Sequence, residues 1–576
     1  MFKTYFKVAW RNLLKSKGSS FINISGLAIG MSVSMLIGLW IYDELTFDTW
    51  HQHYNRIAQV MQHQTFNGSQ TSQNSIPAPL GKELVTNYGN DFKYVAMASW
   101  QGSYILSYDD KKINQTGMYM DKDGPNMLTL TMLKGTRNGL VNPHSILLSA
   151  ATAKALFGNE EPVGKVLKIA NRLPVQVTGV YADLPYATTF RDLHFIAPWE
   201  LYVSSEEWVQ ESVAKSRWGN NSFQLFAQIA DNTDFNTVNK HIANAKLNHV
   251  PAEDKKYKPL IYLHPMRNWH LRSHWDDNGI QTGGAIEYVK LFSVVAIFVL
   301  LLACINFMNL STARSEKRAR EVGIRKAIGS LRSQLVRQFY SESLLVVVFA
   351  FVLAIMLVVL TLPWFNNIAA KKMHIPWGSP LCWLSAIGFI LLTGVVAGSY
   401  PALYLSSFQP VKVLKGTFKG GRLAAIPRKV LVVFQFTISL ALIIGTIVVY
   451  NQIQYAKNRP IGYNRNSLMA IMMKSNDYKG KFQLLRTDLK SAGVIEEMAE
   501  SSSPLTGVWS NNGGFSWQGK DPNLDGDFAT IWITPEFGKT VGWEFKAGRD
   551  LSRSFLTDSS AVVINEAAVK FMGIKD

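Results

Sequence analysis

Apolar and polar positions along this chain of 576 residues separate into five long apolar runs and the mixed stretches between them. The runs are Phe21 to Tyr42, Tyr288 to Leu310, Ser343 to Leu362, Leu381 to Tyr400 and Val430 to Tyr450. A helix of roughly 20 apolar residues crosses the ~30 Å hydrocarbon layer of a bilayer, so each run predicts a transmembrane helix. Lys290, near the start of the second run, is the one Lys, Arg, Asp or Glu in the five. The first run follows a basic start, as a signal peptide does, but it is long and no small-x-small cleavage site follows it. It reads as an uncleaved signal anchor.

Between the first two runs the pattern changes period. Val175 to Tyr181 and Phe223 to Ile229 look like strands, and Ala150 to Phe157 looks like a helix. Pro77, Pro79, Gly124, Pro125 and Pro185 break the segment as turns would. The expectation is an independently folded α/β domain over residues 43–285, inserted into an α-helical integral membrane protein.

Charge orients the helices. Met1 to Ser20, Ser311 to Glu342 and Tyr404 to Lys429 hold 19 Lys and Arg against Glu316, Glu321 and Glu342, which is +16 of a net +18. Basic loops stay cytoplasmic. With the N-terminus inside, all three blocks fall on the cytoplasmic side, and the segments after the first and fifth helices fall outside. Residues 1–20 then form a cytoplasmic basic segment and 21–42 helix one. Residues 288–403 form a three-helix membrane domain with a cytoplasmic segment, 311–342, inside it. A cytoplasmic linker at 404–429 and helix five at 430–450 lead to a second, incomplete extracytoplasmic domain at 451–576. The first outer segment, Asp43 to Ala285, carries 22 Lys and Arg against 23 Asp and Glu, so the basic excess is topological and no nucleic-acid partner is expected. Both cysteines, Cys304 and Cys382, lie in apolar runs, which excludes a disulfide framework and a cysteine metal site.

The chain also repeats itself at a spacing of roughly 410 residues. Helix one has small residues at every fourth position, Gly26, Gly30, Ser34 and Gly38, and helix five has Thr437, Ala441 and Gly445 in the same phase. Such ladders let helices approach closely. Ile146 to Ser149 matches Val562 to Asn565, with Ser149 and Asn565 each suited to cap the helix that follows, and Gly158 falls opposite Gly573. By this symmetry the second copy stops in mid-domain at Asp576, and a further part or a second chain would complete it.

In the cytoplasmic segment, Ile324, Ala327, Ile328 and Leu331 fall at i, i+3, i+4 and i+7, one face of a helix, among Arg314, Lys317, Arg318, Arg320, Arg325 and Lys326. Such a helix either lies on anionic lipid or docks in a partner's groove. Asn306, Asn309 and Gln435 are the main polar residues within the runs, placed for interhelical hydrogen bonds.

At these residues the chain resembles the FtsX/MacB-like permease family of ABC transporters. The resemblance rests on Cys304-Ile-Asn-Phe-Met-Asn-Leu-Ser-Thr-Ala-Arg314, Arg320-Glu-Val-Gly-Ile-Arg-Lys-Ala-Ile-Gly329 and Gln338-Phe-Tyr-Ser-Glu-Ser343. Tyr42-Asp-Glu-Leu-Thr-Phe-Asp48, Ser399-Tyr-Pro-Ala-Leu403 and Gln409-Pro-Val-Lys-Val-Leu-Lys-Gly416 add to it. It implies a MacB-like periplasmic core domain plus an FtsX-like helix bundle, in the eight-helix form with two extracytoplasmic domains. It also implies a multi-pass protein of the bacterial inner membrane. Arg320, Glu321, Val322, Gly323, Ile324, Arg325, Lys326, Ala327, Ile328 and Gly329 would couple to a separate ABC ATPase subunit. That partner would use ATP and Mg, while this chain would bind no cofactor and hydrolyse nothing. Export, lipoprotein release and mechanotransmission are the functions implied. A homodimer or a related permease, a periplasmic adaptor and membrane lipid are the further partners.

Other chemistry is weakly represented. Gly158-Asn-Glu-Glu-Pro-Val-Gly-Lys-Val166 has five residues between its glycines and a valine where a phosphate loop needs a hydroxyl. It reads as a turn after a helix. His264, His270 and His274 lack closed zinc-site spacing, and no G-x-S-x-G nucleophile motif occurs, so neither a metal site nor a catalytic residue is expected. A membrane receptor with an outer ligand-binding domain is the alternative function. Its cytoplasmic pieces would be too short for an output domain of their own. Ion-coupled transport conflicts with the direct repeat and with helices that lack charge at mid-depth.

Overall fold

A computed structural model of the chain describes residues 10–11, 17–313, 322–407, 426–522 and 524–574. The chain divides into two compact units. One comprises Met1–Phe47, His270–Arg272 and Gly283–Lys457, the other Asp48–Trp269, Ser273–Thr282 and Asn458–Asp576.

The first unit is a bundle of long helices: α1 (Lys17–Leu45), α2 (Ile286–Ala313), α3 (Arg332–Ala369), α4 (Pro380–Ser406) and α5 (Ile426–Asn458). All five are long and apolar enough to cross a membrane. They outrun the apolar stretches because helical hydrogen bonding does not stop where the hydrocarbon does. At 1.5 Å per residue the 38 residues of α3 extend about 57 Å. Residues 332–342, expected within a cytoplasmic segment, are its first three turns, and the helix runs on past the apolar stretch that ends at Leu362 to Ala369. Pro363 sits inside α3 without ending it. The helix closes where Asn366 bonds the Met373 backbone in both directions, at 2.9 and 3.0 Å.

Helix α1 packs against α2 and α3, and α4 against α2 and α3. Leu27, Ala28, Met31, Phe307, Val347, Ala350 and Ala397 form the shared core. Contacts between α1 and α2 run antiparallel, since Ser34 Oγ donates to the Ala296 carbonyl at 3.0 Å and Gly30 meets Ala303. A Cβ on Gly30 would lie 2.4 Å from the Ala303 Cβ, so only glycine permits this approach. Gly26 faces Asn306, while Gly38 has nothing within 4 Å of its Cβ position and lies off the contact. The Asn309 amide oxygen is buried without a hydrogen-bond partner, so it does not supply the expected interhelical bond. Helix α5 is nearly uncovered, with Ile438 its buried residue.

In the second unit a mixed sheet of 13 strands holds the core. Along its main path lie β1 (Ile57–Phe66), β2 (Phe92–Ala98), β3 (Gly102–Tyr108), β4 (Lys111–Met120), β5 (Ser145–Ser149), β6 (Val166–Ile169), β7 (Leu173–Tyr181), β8 (Phe195–Pro198), β9 (Asn221–Ile229) and β10 (Leu260–Pro265). Their spatial order is β8-β5-β7-β6-β3-β4-β2-β9-β1-β10. The β5–β7 and β8–β4 pairs are parallel. Helices Pro79–Asn87, Phe235–Ile242 and Trp199–Ser205 contribute apolar faces to cores such as that of Leu80, Leu84, Trp199, Val238 and Ile242 with Phe223 and Leu225. Where the chain enters this unit, Asp48 is fully buried and accepts from Thr188 Oγ1, the Thr189 backbone N–H and Thr189 Oγ1, each at 2.7 Å.

The internal repeat is visible in the caps. Ser149 accepts from the Thr152 N–H and Asn565 from the Ala568 N–H, and Gly158 and Gly573 end the two helices at positive φ. The strand is not repeated: Ile146 to Leu148 lie in β5, whereas 561–565 pair with no strand among the described residues. Residues 458–574 meet the sheet through Asp525, whose carboxylate accepts from Lys256 Nζ at 2.6 Å and whose backbone N–H and carbonyl both bond the Asn67 amide.

Candidate functional site

The segment singled out by its apolar face lies at the end of the bundle where α2 finishes and α3 begins. Residues 322–327 are helical. Gly329, at φ +99, closes the helix, with its N–H bonding the Lys326 carbonyl and the Ser330 N–H the Arg325 carbonyl, both at 3.1 Å. This pairing satisfies the last carbonyls of a helix through a left-handed residue that favours glycine. Leu331 then starts α3, its N–H bonding Gln334 Oε1 at 3.1 Å.

The short helix has two faces. Val322 and Gly323 are buried, Val322 against Leu335, Phe339, Ala402 and Leu405. On the other side Ile324 is 45% exposed, Ile328 81% and Leu331 63%, with Ala327 exposed between them. These are the four positions that the helical period placed together.

The cations between the faces hold the segment to the bundle. Arg325 Nη1 donates to Gln338 Oε1 at 2.5 Å, and Gln338 Nε2 donates to Glu342 Oε1 at 3.2 Å, one turn further along α3. Lys326 Nζ donates to the Ser406 carbonyl at 2.6 Å, where the carbonyls at the C-terminus of α4 carry partial negative charge. Burial, with Arg332 nearby, lowers the pKa of the Lys326 amine. Arg332 Nε reaches Ser406 Oγ at 3.4 Å. The segment is thus held to α3 and α4 through Arg325, Lys326 and Val322 while Ile324, Ile328 and Leu331 face outward.

Of the residues expected to couple, Ile324, Ala327, Ile328 and Gly329 are exposed, Val322 and Gly323 are buried, Arg325 and Lys326 bond to the bundle, and Arg320 and Glu321 lie outside the described residues. Gly26, Gly30 and Ser34 line the α1–α2 contact instead, apart from Gly38. Sequence reasoning missed the supports. Gln338 stands in a recognised motif, but no local signal marks Ser406 as the acceptor for Lys326, 80 residues away.

The remaining sequence candidates are engaged elsewhere. Lys165, from the phosphate-loop-like stretch, pairs with Glu160 and donates to Tyr108 Oη at 3.1 Å. His264 packs edge-on to Trp275, and burial pushes its pKa down to about 4. Trp269, beside His270, meets Phe190 and Phe226. No group of three His, Cys, Asp or Glu able to hold a metal occurs among the described residues.

A bundle of apolar helices with an α/β domain inserted after the first is the architecture of a multi-pass membrane protein. Residues 20–245 match the MacB-like periplasmic core domain and residues 293–410 the FtsX-like permease C-terminal domain. The chain belongs to the ABC transporter permeases that carry these two domains. It is 26% identical over 314 residues to an uncharacterized ABC transporter permease, YknZ, of Bacillus subtilis, covering 54% of this chain and 67% of that one. With the macrolide export ATP-binding/permease protein MacB of Bdellovibrio bacteriovorus it shares 32% identity over 275 residues, 47% of this chain and 38% of the relative. The match thus spans well under half the length of that MacB relative. The crystal structure of the periplasmic region of MacB from Actinobacillus actinomycetemcomitans aligns at 16% identity and a TM-score of 0.26, covering 35% of this chain and 88% of that one.

Proposed function

We propose that this chain is the membrane-spanning, non-hydrolysing subunit of an ABC transporter. It couples ATP hydrolysis by a separate nucleotide-binding protein to motion of its extracytoplasmic parts. The observation that carries the reading is the outward apolar face of Ile324, Ala327, Ile328 and Leu331 on a segment pinned to α3 and α4. A lipid-surface helix would direct its cations toward phosphates, whereas Arg325 and Lys326 bond to the bundle. An apolar helix face set on a rigid support fits a groove in a protein. The relatives' names, ABC transporter permease and ATP-binding/permease protein, agree with an ATPase as that protein, supplied separately here and binding the ATP and Mg itself.

The proposed setting is the bacterial inner membrane, with the N-terminus and the 322–331 surface cytoplasmic. A second permease copy or a related permease completes the assembly, with a periplasmic adaptor as a further partner. Export, lipoprotein release and mechanotransmission share this coupling step.

The test is purification of the tagged full-length chain from its native membrane in mild detergent, assaying vanadate-sensitive ATPase activity in the eluate. Ile328→Asp places a charge on the apolar face without touching Arg325, Lys326 or Val322. It is expected to cut the recovered ATPase at least tenfold while leaving the yield of this chain unchanged. Full recovery of ATPase with Ile328→Asp would remove the docking assignment.

A further inference from the structure

At the opposite end of the bundle four charged or polar side chains converge on one buried point. Asp43 and Glu44 lie in the last turn of α1, Lys371 follows the C-terminus of α3, and His270 belongs to the short return of the chain into this unit. Lys371 Nζ lies 2.7 Å from Asp43 Oδ2 and 2.8 Å from Glu44 Oε1. Glu44 Oε2 lies 2.5 Å from His270 Nε2. Phe47 covers the group, its ring stacked on the His270 imidazole at 4.0 Å between centroids and 5.7 Å from Lys371 Nζ. The side chains are 16% exposed for Asp43, 6% for Glu44 and 12% for Lys371.

Charges withdrawn from water to this degree are costly unless paired, and removing one partner leaves the others unpaired. Surface ion pairs contribute little and tolerate loss. This network is therefore costly to break singly and couples the elements that share it. It joins two parallel helix ends, α1 and α3, and takes hold of the chain at the two places nearest where it leaves and re-enters the unit, Phe47 and His270.

We infer that Lys371, Asp43, Glu44 and His270 form an electrostatic clasp in which Lys371 is the positioning residue. The clasp fixes the outer end of α1 to that of α3, so that movement of α3 is delivered to the chain segments on either side of the inserted domain. Helix α3 carries the 322–331 surface's supports at its other end, through Gln338. The delivery of force rests on the transport reading above, whereas the clasp itself does not.

The test is backbone hydrogen exchange on the full chain in nanodiscs, with Lys371→Met, Glu44→Gln and the double variant. Each single change is expected to speed exchange at least tenfold on the helix it does not belong to: residues 42–47 for Lys371→Met and 366–373 for Glu44→Gln. The double variant is expected to fall well short of the product of the two effects, because the second change removes a contact already lost. Exchange that rises only on the mutated helix, or effects that multiply, would overturn the clasp. Should Lys371→Met fail to accumulate, the shape-preserving Glu44→Gln decides alone through residues 366–373. Loss of ATPase co-purification would leave these exchange results standing, so the two readings fail separately.

Discussion

At Lys246 a lysine is 1% exposed, its amine donating to Gln62 Oε1 at 2.6 Å and Asn221 Oδ1 at 2.7 Å, with no carboxylate paired to it among the described residues. Burial pushes its pKa down to about 7, against about 10.4 for an unperturbed lysine. Between those values the unfolded chain binds the proton and the folded one does not, so folding stability rises with pH across that window and is flat below it. Asp121 behaves oppositely. Its carboxyl, buried and close to Glu200 and Asp123, is pushed up to about 7, so its contribution makes stability fall as pH rises from roughly 4 toward 7. Urea unfolding of the detergent-solubilised chain, followed by tryptophan fluorescence at pH 7 and pH 9.5, is expected to show a gain in the parent. Lys246→Met is expected to abolish that gain. A gain of equal size in the variant would mean that another group titrates.

Among the elements, helices were legible wherever apolar content was continuous, and their ends were not. Residues 332–342 and 363–369 fall outside the apolar run because polar residues interrupt them, yet both continue α3 through hydrogen bonds that a hydropathy pattern does not register. The outward position of Ile324, Ala327, Ile328 and Leu331 was legible, although the helix that suggested it ends at residue 327 and Gly329 takes a positive φ before Leu331. The roles of Arg325 and Lys326 were not, since their acceptors are 13 and 80 residues distant. Lys371, one of two adjacent lysines in the segment after α3, gave no sign of its carboxylate partners on α1. The ladder on α1 divides in the same way: spacing alone makes Gly30 and Gly38 equivalent, and packing separates them. Gly30→Val forces a side chain against Ala303 and is expected to cost about 1–3 kcal/mol, as overpacking does. Gly38→Val meets nothing within 4 Å and is expected to be near neutral. Thermal unfolding of the two purified variants in one detergent measures the difference, and equal losses would mean that the α1–α2 contact is looser than its geometry.

For the molecule as a whole, packing gathers the helix ends that the basic blocks flank, and the proposed orientation rests on the charge of those blocks. The α1–α2 contacts run antiparallel through Gly30–Ala303 and Ser34–Ala296, and the α3–α4 contacts do so through Leu344–Gly394 and Ser343–Gly398. The Lys371 clasp sets α1 parallel to α3. The start of α1, the end of α2, the start of α3 and the end of α4 therefore share one end of the bundle, and those are the ends that the basic blocks flank. Turning the bundle over would carry those cations to the outer face against the bias that retains Lys and Arg in the cytoplasm. Single cysteines in a chain whose Cys304 and Cys382 are replaced by serine can read the result. In right-side-out spheroplasts a membrane-impermeant maleimide is expected to label Ser103→Cys in the inserted domain and His374→Cys between α3 and α4. Ser333→Cys at the start of α3 is expected to react only after detergent is added. All three positions are exposed, so accessibility on the correct side is not limited by burial. Labelling of Ser333→Cys in intact spheroplasts would invert the bundle, put the 322–331 surface out of reach of any cytoplasmic ATPase, and so remove the coupling reading together with the topology.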